Sequence, residues 1–413
     1  MTYAFSALTL LAHLVSGVVT ARALGPSGRG VTVALTTLSQ LAGFLFAMGV
    51  AQSLSYYIAR RPADGPALFT TWVLMLVPLT VLAIAVAELL LPVIFTGPGG
   101  EQAVTIGRWF LVTIVVVVGL ELNYGLLLGV QDFLVYNVLR FAQPAVIAIA
   151  LVLLWILDLL TVESALISAT AGAALLLGLG LARSVRRVGL GRFDLRLGLR
   201  TLWYGVRGQG NTVASNLNAR LDVAMLPAFV STASVGLYSV ATNLSLIVHQ
   251  MANTFAGLVL PAAAHEPERG PLKVVGSLYA TLVVTAVLAA VLALFARPLI
   301  GFVYGDPFRD AAEPLLLLLP GAVLFAGSSI LSAGLYAAER PFTATVTQLL
   351  GMAVTVIGLF AFLRTGGVTA AALVSSVAYA TVFFATLVAY KQVSGKPWRF
   401  FVPSPALVRA ISA

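Results

Sequence analysis

Five polar side chains recur through residues 202–230: Arg207, Asn211, Ser215, Asn218 and Asp222, at spacings of four, four, three and four. At 3.6 residues per turn they form one row along a helix. The segment is long enough to cross a bilayer. A charge at bilayer depth costs ~3 kcal/mol on insertion scales, so these groups face protein or water and not lipid. Such a row is chemistry for holding a hydrophilic solute, and arginine's planar fork takes phosphate oxygens in pairs. The plainer reading is a helix packed inside a bundle whose polar groups satisfy one another, with Arg207 snorkelling to the interface. Arg220 stands two residues from Asp222, off its face, so the two need separate partners.

A second such face lies near the N-terminus, where Ser6, Thr9, His13, Ser16 and Thr20 are spaced three, four, three and four. Hydroxyls in membrane helices often bond only the carbonyl one turn back, which is the alternative here. Ser239, Asn243, Gln250 and Asn253, with His249 one residue off their row, mark another span. Thr32, Thr36, Ser39 and Gln40, and the group Glu121, Asn123 and Tyr124, mark two more. These donors and acceptors suit a solute rich in hydroxyl and amide groups, such as a sugar, and equally suit bridging between helices. Arg207, Asn211, Ser215, Asn218, Arg220, His13, Asn243 and Gln250 are the candidate solute-binding residues. Asp222, Glu121 and His13 are the candidates for ion coupling, because protonatable groups inside spans often lie on proton routes.

Catalytic and cofactor motifs are missing. The sequence has no HExxH, Walker A or GxSxG element, and no paired carboxylates in a loop domain. Asp306, Asp310 and Glu313 cluster with too few companions for a metal site, and without cysteine there is no thiolate site or disulfide. No cofactor is expected.

The elements that must carry these residues follow from composition. The 413 residues are 60% hydrophobic and 9% charged, with mean hydropathy +1.01. Apolar blocks of about 20 residues, each able to span the hydrocarbon core, recur from end to end. The expected fold is an all-α polytopic membrane protein with about twelve spans. They run near 3–22, 31–57, 68–95, 107–129, 141–158, 164–182, 202–229, 235–261, 273–303, 311–336, 342–363 and 369–390. The first block lacks a basic flank and a cleavage site, and reads as a retained span. Prolines 78, 92, 144, 227, 261 and 320 fall within spans, where they either kink helices or only shape packing.

The net charge of +9 sets topology and does not point to nucleic acid. With a cytoplasmic N-terminus, the inside loops hold Arg60, Arg61, Arg140, the cluster from Arg183 to Arg200, Arg340 and the tail's Lys391, Lys396, Arg399 and Arg409. The outer loops hold far fewer basic residues, Arg29 among them. The chain is therefore expected in the plasma (inner) membrane with both termini on the cytoplasmic side. The Arg-rich midpoint is either a positive-inside anchor or a surface for anionic lipid.

The halves resemble each other at an offset of roughly 207 residues: Gly30, Thr36, Leu38 and Ser39 match Gly236, Thr242, Leu244 and Ser245. Six spans per repeat give both the same orientation. The expected organisation is an N-terminal six-helix bundle (1–183), a basic cytoplasmic linker (184–201), a C-terminal six-helix bundle (202–390) and a tail (391–413), with the polar faces toward a central cavity.

Three segments carry a resemblance. Ala21-Arg-Ala-Leu-Gly-Pro-Ser-Gly-Arg-Gly30 resembles the turn after the first span of oligosaccharide flippases, the polysaccharide-export branch of the superfamily that includes multidrug extruders. Ala219-Arg-Leu-Asp222, followed by Val235-Gly-Leu-Tyr-Ser-Val-Ala-Thr242 and Leu260-Pro261, is similar to the same family. So is Phe302-Val-Tyr-Gly-Asp306, leading into a Leu-rich span. The resemblance implies two six-helix bundles around a cavity that opens alternately to either face. It implies a polyprenyl-diphosphate-linked oligosaccharide as cargo, membrane lipids as surroundings, and polymerases or glycosyltransferases of the same pathway as partners. Precursor flippases of the family have fourteen spans, against twelve here.

A cation extruder of the same fold competes with this reading. Such proteins carry an acidic residue in the first span of a half, which span 1 here lacks. The major facilitator fold is disfavoured because its Gly-x-x-x-Asp-Arg loop is replaced by Ala59-Arg-Arg-Pro-Ala-Asp64. A membrane glycan polymerase or glycosyltransferase is disfavoured by the short outer loops.

Overall fold

The computed structural model describes residues 2–97, 100–265 and 269–402. The side chains of Ser6, Asn253 and Pro261, and the tail from 403 with Arg409, lie outside the described residues. The helices are α1 (Thr2–Phe46), α2 (Val50–Arg60), α3 (Gly65–Ile94), α4 (Gly100–Phe110), α5 (Thr113–Gly129), α6 (Phe133–Ile156), α7 (Val162–Val188), α8 (Leu195–Met225), α9 (Thr232–His265), α10 (Gly270–Leu294), α11 (Ala296–Tyr304), α12 (Ala312–Ala337) and α13 (Pro341–Ser394). No strand occurs among the described residues, and the chain is an all-α polytopic membrane protein.

Among the described residues, seven helices are long and apolar enough to cross a membrane, or eight if α4 and α5, bent by 49°, form one span. Two of these, α1 and α13, each supply a pair of the expected spans. Their breaks fall at Gly25 (φ 66°) and Gly367 (φ 53°), in the left-handed region where a side chain on Cα is disfavoured. Pro26 follows the first break and opens the second arm, where its missing N–H costs nothing. The helices run on through Pro78, Pro92, Pro144 and Pro320, so the sharp turns belong to glycine. The expected spans fall largely on helices, with breaks inside 31–57, 107–129 and 273–303, and neither α8 nor α9 is among the helices counted as long and apolar enough.

The outer faces of the helices expose large apolar side chains, as hydrocarbon as solvent allows, while the inner faces mix small, polar and large apolar groups. On α10, Val283, Val287, Val291 and Leu294 are exposed while Thr281, Thr285 and Ala289 are buried. Thr285 Oγ1 donates to the Thr281 carbonyl at 2.7 Å, which satisfies the hydroxyl within its own helix. On α3, Leu74, Val77 and Val81 face outward and Leu68, Trp72, Leu76 and Ala83 inward.

The chain packs as two compact units: residues 1–213 with 230–236, and residues 214–229 with 237–413. By packing, the division falls inside α8. The basic linker belongs to unit 1 and is folded onto it. The Gly191 and Asp194 amides donate to Thr70 and Thr71 Oγ1 at 3.0 Å. Thr201 receives Trp72 Nε1 at 3.1 Å on its hydroxyl and Ser53 Oγ at 2.7 Å on its carbonyl. Arg183 and Arg187 meet Asp132 at 2.8 and 3.6 Å. In unit 2, the first residues of the tail are docked: Tyr279 donates to the Phe401 carbonyl and Lys391 lies 5.7 Å from the Trp398 ring centroid.

The glycines matched between the two halves meet inside unit 1. A Cβ on Gly30 would fall 1.7 Å from the Thr232 carbonyl oxygen, and one on Gly236 2.0 Å from that of Pro26. Ser27 and Thr232 hydroxyls pair beside them at 2.8 Å. In unit 2, Gly351 does similar service, since a Cβ there would reach 2.2 Å from Val382 Cγ2 and 3.3 Å from Asn218 Nδ2.

Gly30→Ala should therefore lower stability by about 2 kcal/mol or more, because backbone has to move. Gly208→Ala, whose added methyl meets nothing within 4 Å, should leave stability equal or slightly raised. Thermal unfolding of the two detergent-solubilised variants reads the contrast.

Candidate functional site

The row on α8 changes character along its length. Arg207 is exposed, with its guanidinium 5.5 Å from the Trp203 ring centroid. Asn211 and Ser215 are half-buried, and Asn211 Oδ1 is buried without a hydrogen-bond partner among the described residues. Asn218 and Asp222 are fully buried. Arg207 and Asn211 belong to unit 1, and Ser215, Asn218 and Asp222 to unit 2.

In unit 2 both buried residues are engaged by neighbouring helices. Asn218 Nδ2 donates to the Gln348 carbonyl at 2.7 Å and to Gln348 Oε1 at 2.9 Å, tying α8 to α13. Asp222 Oδ2 accepts from the Tyr238 hydroxyl at 2.5 Å and from Ser375 Oγ at 2.8 Å, while Oδ1 accepts from the Val223 amide at 2.7 Å. Three donors on one carboxylate join α8, α9 and the second arm of α13. Thr347 and Thr386 pair at 3.0 Å between the arms of α13. An aromatic column lies alongside: His249 stacks on Phe325 at 4.5 Å, and Phe325 on Tyr379 at 4.6 Å.

The remaining candidates do not join this cluster. Arg220 is exposed, as are Asn243 and Gln250 on α9. In unit 1, His13 is exposed and Glu121 half-buried. The hydroxyls of the first span bond their own helix: Thr9 to Phe5, Ser16 to Ala12 and Thr20 to Ser16, at 2.7–2.9 Å. Thr32 and Thr36 do the same toward Gly28 and Thr32. On α5, Asn123 accepts from Ser184 Oγ of α7 at 2.7 Å, and Tyr124 donates to Gln143 of α6 at 3.2 Å. Among the described residues, no three His, Cys, Asp or Glu side chains gather where they would hold a metal ion.

Sequence reasoning missed two features. Arg29, read as a loop cation, is buried against the first arm of α1, where its Nη1 donates to Thr20 Oγ1 at 2.6 Å and its tip lies over Gly17. Its nine-residue distance from Thr20 spans the Gly-Pro break, so only the break itself, legible as Gly25-Pro26, could have signalled the fold-back. The second is an aromatic and basic groove on unit 1, lined by Gln52, Ser55, Tyr56, Ala59, Arg60 and Tyr204, with a volume of about 650 Å³.

If Asp222 and Asn218 serve packing, Asp222→Ala should cost roughly 2–4 kcal/mol, since it strands two buried hydroxyls and an amide, and Asn218→Ala somewhat less. Arg207→Ala, at an exposed position, should leave the unfolding midpoint unchanged. Midpoints that fall equally for Arg207→Ala and Asp222→Ala would reject this division of the row.

Residues 2–265 match the family model described as "Polysaccharide biosynthesis protein". No curated protein sequence matches the chain. Solved structures of like fold include a lipid II flippase, MurJ, in an inward closed conformation, with TM-score 0.78 and 15% identity over 97% of this chain and 88% of that one. A multidrug resistance MATE family transporter of the MOP superfamily, in an inward-facing conformation, follows with TM-score 0.73 and 14% identity over 97% and 96%. The MATE multidrug transporter DinF-BH gives TM-score 0.64 and 15% identity over 96% of each chain. At these identities the likeness is one of fold.

Proposed function

Because the chain belongs to the polysaccharide biosynthesis protein family, we propose that it is a flippase that carries a polyprenyl-diphosphate-linked oligosaccharide from the cytoplasmic to the outer leaflet of the plasma (inner) membrane. The observation that carries this reading is the family match together with a long helix, α8, whose polar row is too polar to face lipid. The likeness in fold to a flippase of lipid II, itself a lipid-linked cargo, supports it. Transport runs by alternating access, without catalytic chemistry, and both termini face the cytoplasm, as the bias of arginines in the loops suggests.

In this reading Arg207 meets the diphosphate, which a guanidinium holds better than an ammonium, and Arg220, about 20 Å further along α8, is a separate candidate contact for the cargo. Asn211, with its unsatisfied acceptor, and Ser215 meet sugar hydroxyls, with His13, Asn243 and Gln250 as further exposed contacts. Asn218 orients α8 through Gln348. Asp222, Glu121 and His13 remain the groups proposed for ion coupling. Polymerases or glycosyltransferases of the same pathway are the proposed partners. A second reading, an ion-coupled multidrug extruder, draws on the likeness to MATE transporters of nearly equal extent.

Mass spectrometry of lipid-linked saccharides from cells with and without the gene, with outer-face labelling for sidedness, tests the proposal. Deletion should leave an intact saccharide lipid on the cytoplasmic leaflet. Arg207→Ala and Arg220→Ala should reduce its outer-face appearance severalfold while remaining in the membrane. An unchanged saccharide pool, accompanied by new sensitivity to cationic drugs, would move the assignment to an extruder.

A further inference from the structure

The groove on unit 1 lies where α2 meets the start of α8, and its walls are chemically specific. Tyr56 and Tyr204 are stacked, with ring centroids 4.5 Å apart and planes inclined by 20°. Tyr57 packs edge-on against both, at 5.2 and 5.4 Å. Arg60 crosses the Tyr56 ring at 5.9 Å and donates to its hydroxyl at 2.5 Å, and Arg200 lies 5.8 Å from the Tyr57 centroid. Neither arginine has a carboxylate partner among the described residues.

Interfacial tyrosines and arginines commonly anchor a helix to the headgroup layer, each ring pointing outward by itself. Here the rings instead pack on one another and line a shallow, open depression. Gln52, one of its lining residues, keeps a buried Oε1 with no hydrogen-bond partner, an acceptor that rotation of the amide can offer to a hydroxyl. The electron-rich face of an aromatic ring receives the C–H face of a pyranose as it receives other positive edges. A guanidinium that has given one donor to a phenol retains four more for phosphate oxygens.

We infer that this groove docks the phosphorylated-sugar end of a lipid-linked saccharide, with the sugar on the Tyr56–Tyr204 pair and the phosphate on Arg60 and Arg200. The inference rests on the flippase reading for the identity of the cargo. It adds a place on unit 1, one turn along α8 from Arg207 and on the same helical face, where the headgroup is first held.

Binding to the full-length protein in nanodiscs, read by native mass spectrometry, tests it with three probes: undecaprenyl-diphosphate-linked N-acetylglucosamine, phosphatidylglycerol and N-acetylglucosamine 1-phosphate. The wild type should favour the glycolipid over phosphatidylglycerol. Tyr56→Leu with Tyr204→Leu, and separately Arg60→Ala, should weaken glycolipid binding roughly tenfold, while Tyr204→Phe retains it. Unfolding midpoints equal to the wild type's establish that the variants fold. Glycolipid binding indifferent to all these changes, or phosphatidylglycerol bound equally well, overturns the assignment. Equal binding of the soluble sugar phosphate overturns its restriction to a lipid-linked ligand.

Flipping by the same proteins in proteoliposomes separates this claim from the function. Variants that bind and flip normally beside a flipping wild type remove the groove and leave the flippase. A wild type that binds through the groove without flipping removes the flippase and leaves the groove.

Discussion

Hydrocarbon offers no hydrogen bonds, and the stretch of α8 read as a span holds two arginines, three asparagines, a serine and an aspartate. Much of unit 2 is organised by that demand. Asp222 collects donors from α9, from the far arm of α13 and from its own backbone, while Asn218 fastens the near arm of α13 through Gln348. Gly351 stands at the point of closest approach because no methyl fits beside Val382 there. The helix that looks most suited to a solute is thus, over its buried half, also the keystone of a bundle.

The polar residues of α8 differ along the helix by burial. Where the row is buried, Asp222 and the Asn218 amide nitrogen have named partners, although Asn218 Oδ1 has none among the described residues. Where it is half-buried, Asn211 keeps an acceptor unsatisfied, and where it is exposed, Arg207 rests on Trp203. The first span shows the opposite case. Its hydroxyls stand in as regular a row, yet they bond the carbonyls one turn back in their own helix. Regular spacing in sequence therefore locates a face but says nothing of what the face binds.

The membrane class and the helical character of the expected spans were legible, because the length of an apolar run and its period follow directly from bilayer thickness and helix geometry. Only seven or eight helices among the described residues, however, are long and apolar enough to cross. The breaks were half legible. Six prolines drew attention, but the turns are made by Gly25 and Gly367, since proline fits a helix that its neighbours stabilise and a left-handed residue does not. Partners were not legible. Nothing in the spacing of Asp222 names Tyr238 and Ser375, which are 16 and 153 residues away, nor does Arg29 announce that it folds back on Thr20. The Tyr56–Tyr204 groove was equally hidden, since its walls come from the end of one span and the start of another.

The Arg-rich segment at the midpoint of the chain reads as a connector, and connectors are usually places where a polypeptide can be taken apart. This one is pinned at Gly191, Asp194 and Thr201 to residues of α2 and α3, so its conformational entropy is already given up to the first unit. A gene split before it would leave the first polypeptide with bare threonine hydroxyls and the second with a loose basic leader. Cutting this protein at its sequence midpoint therefore does not yield two self-sufficient halves: the joint between them has become a structural member of one.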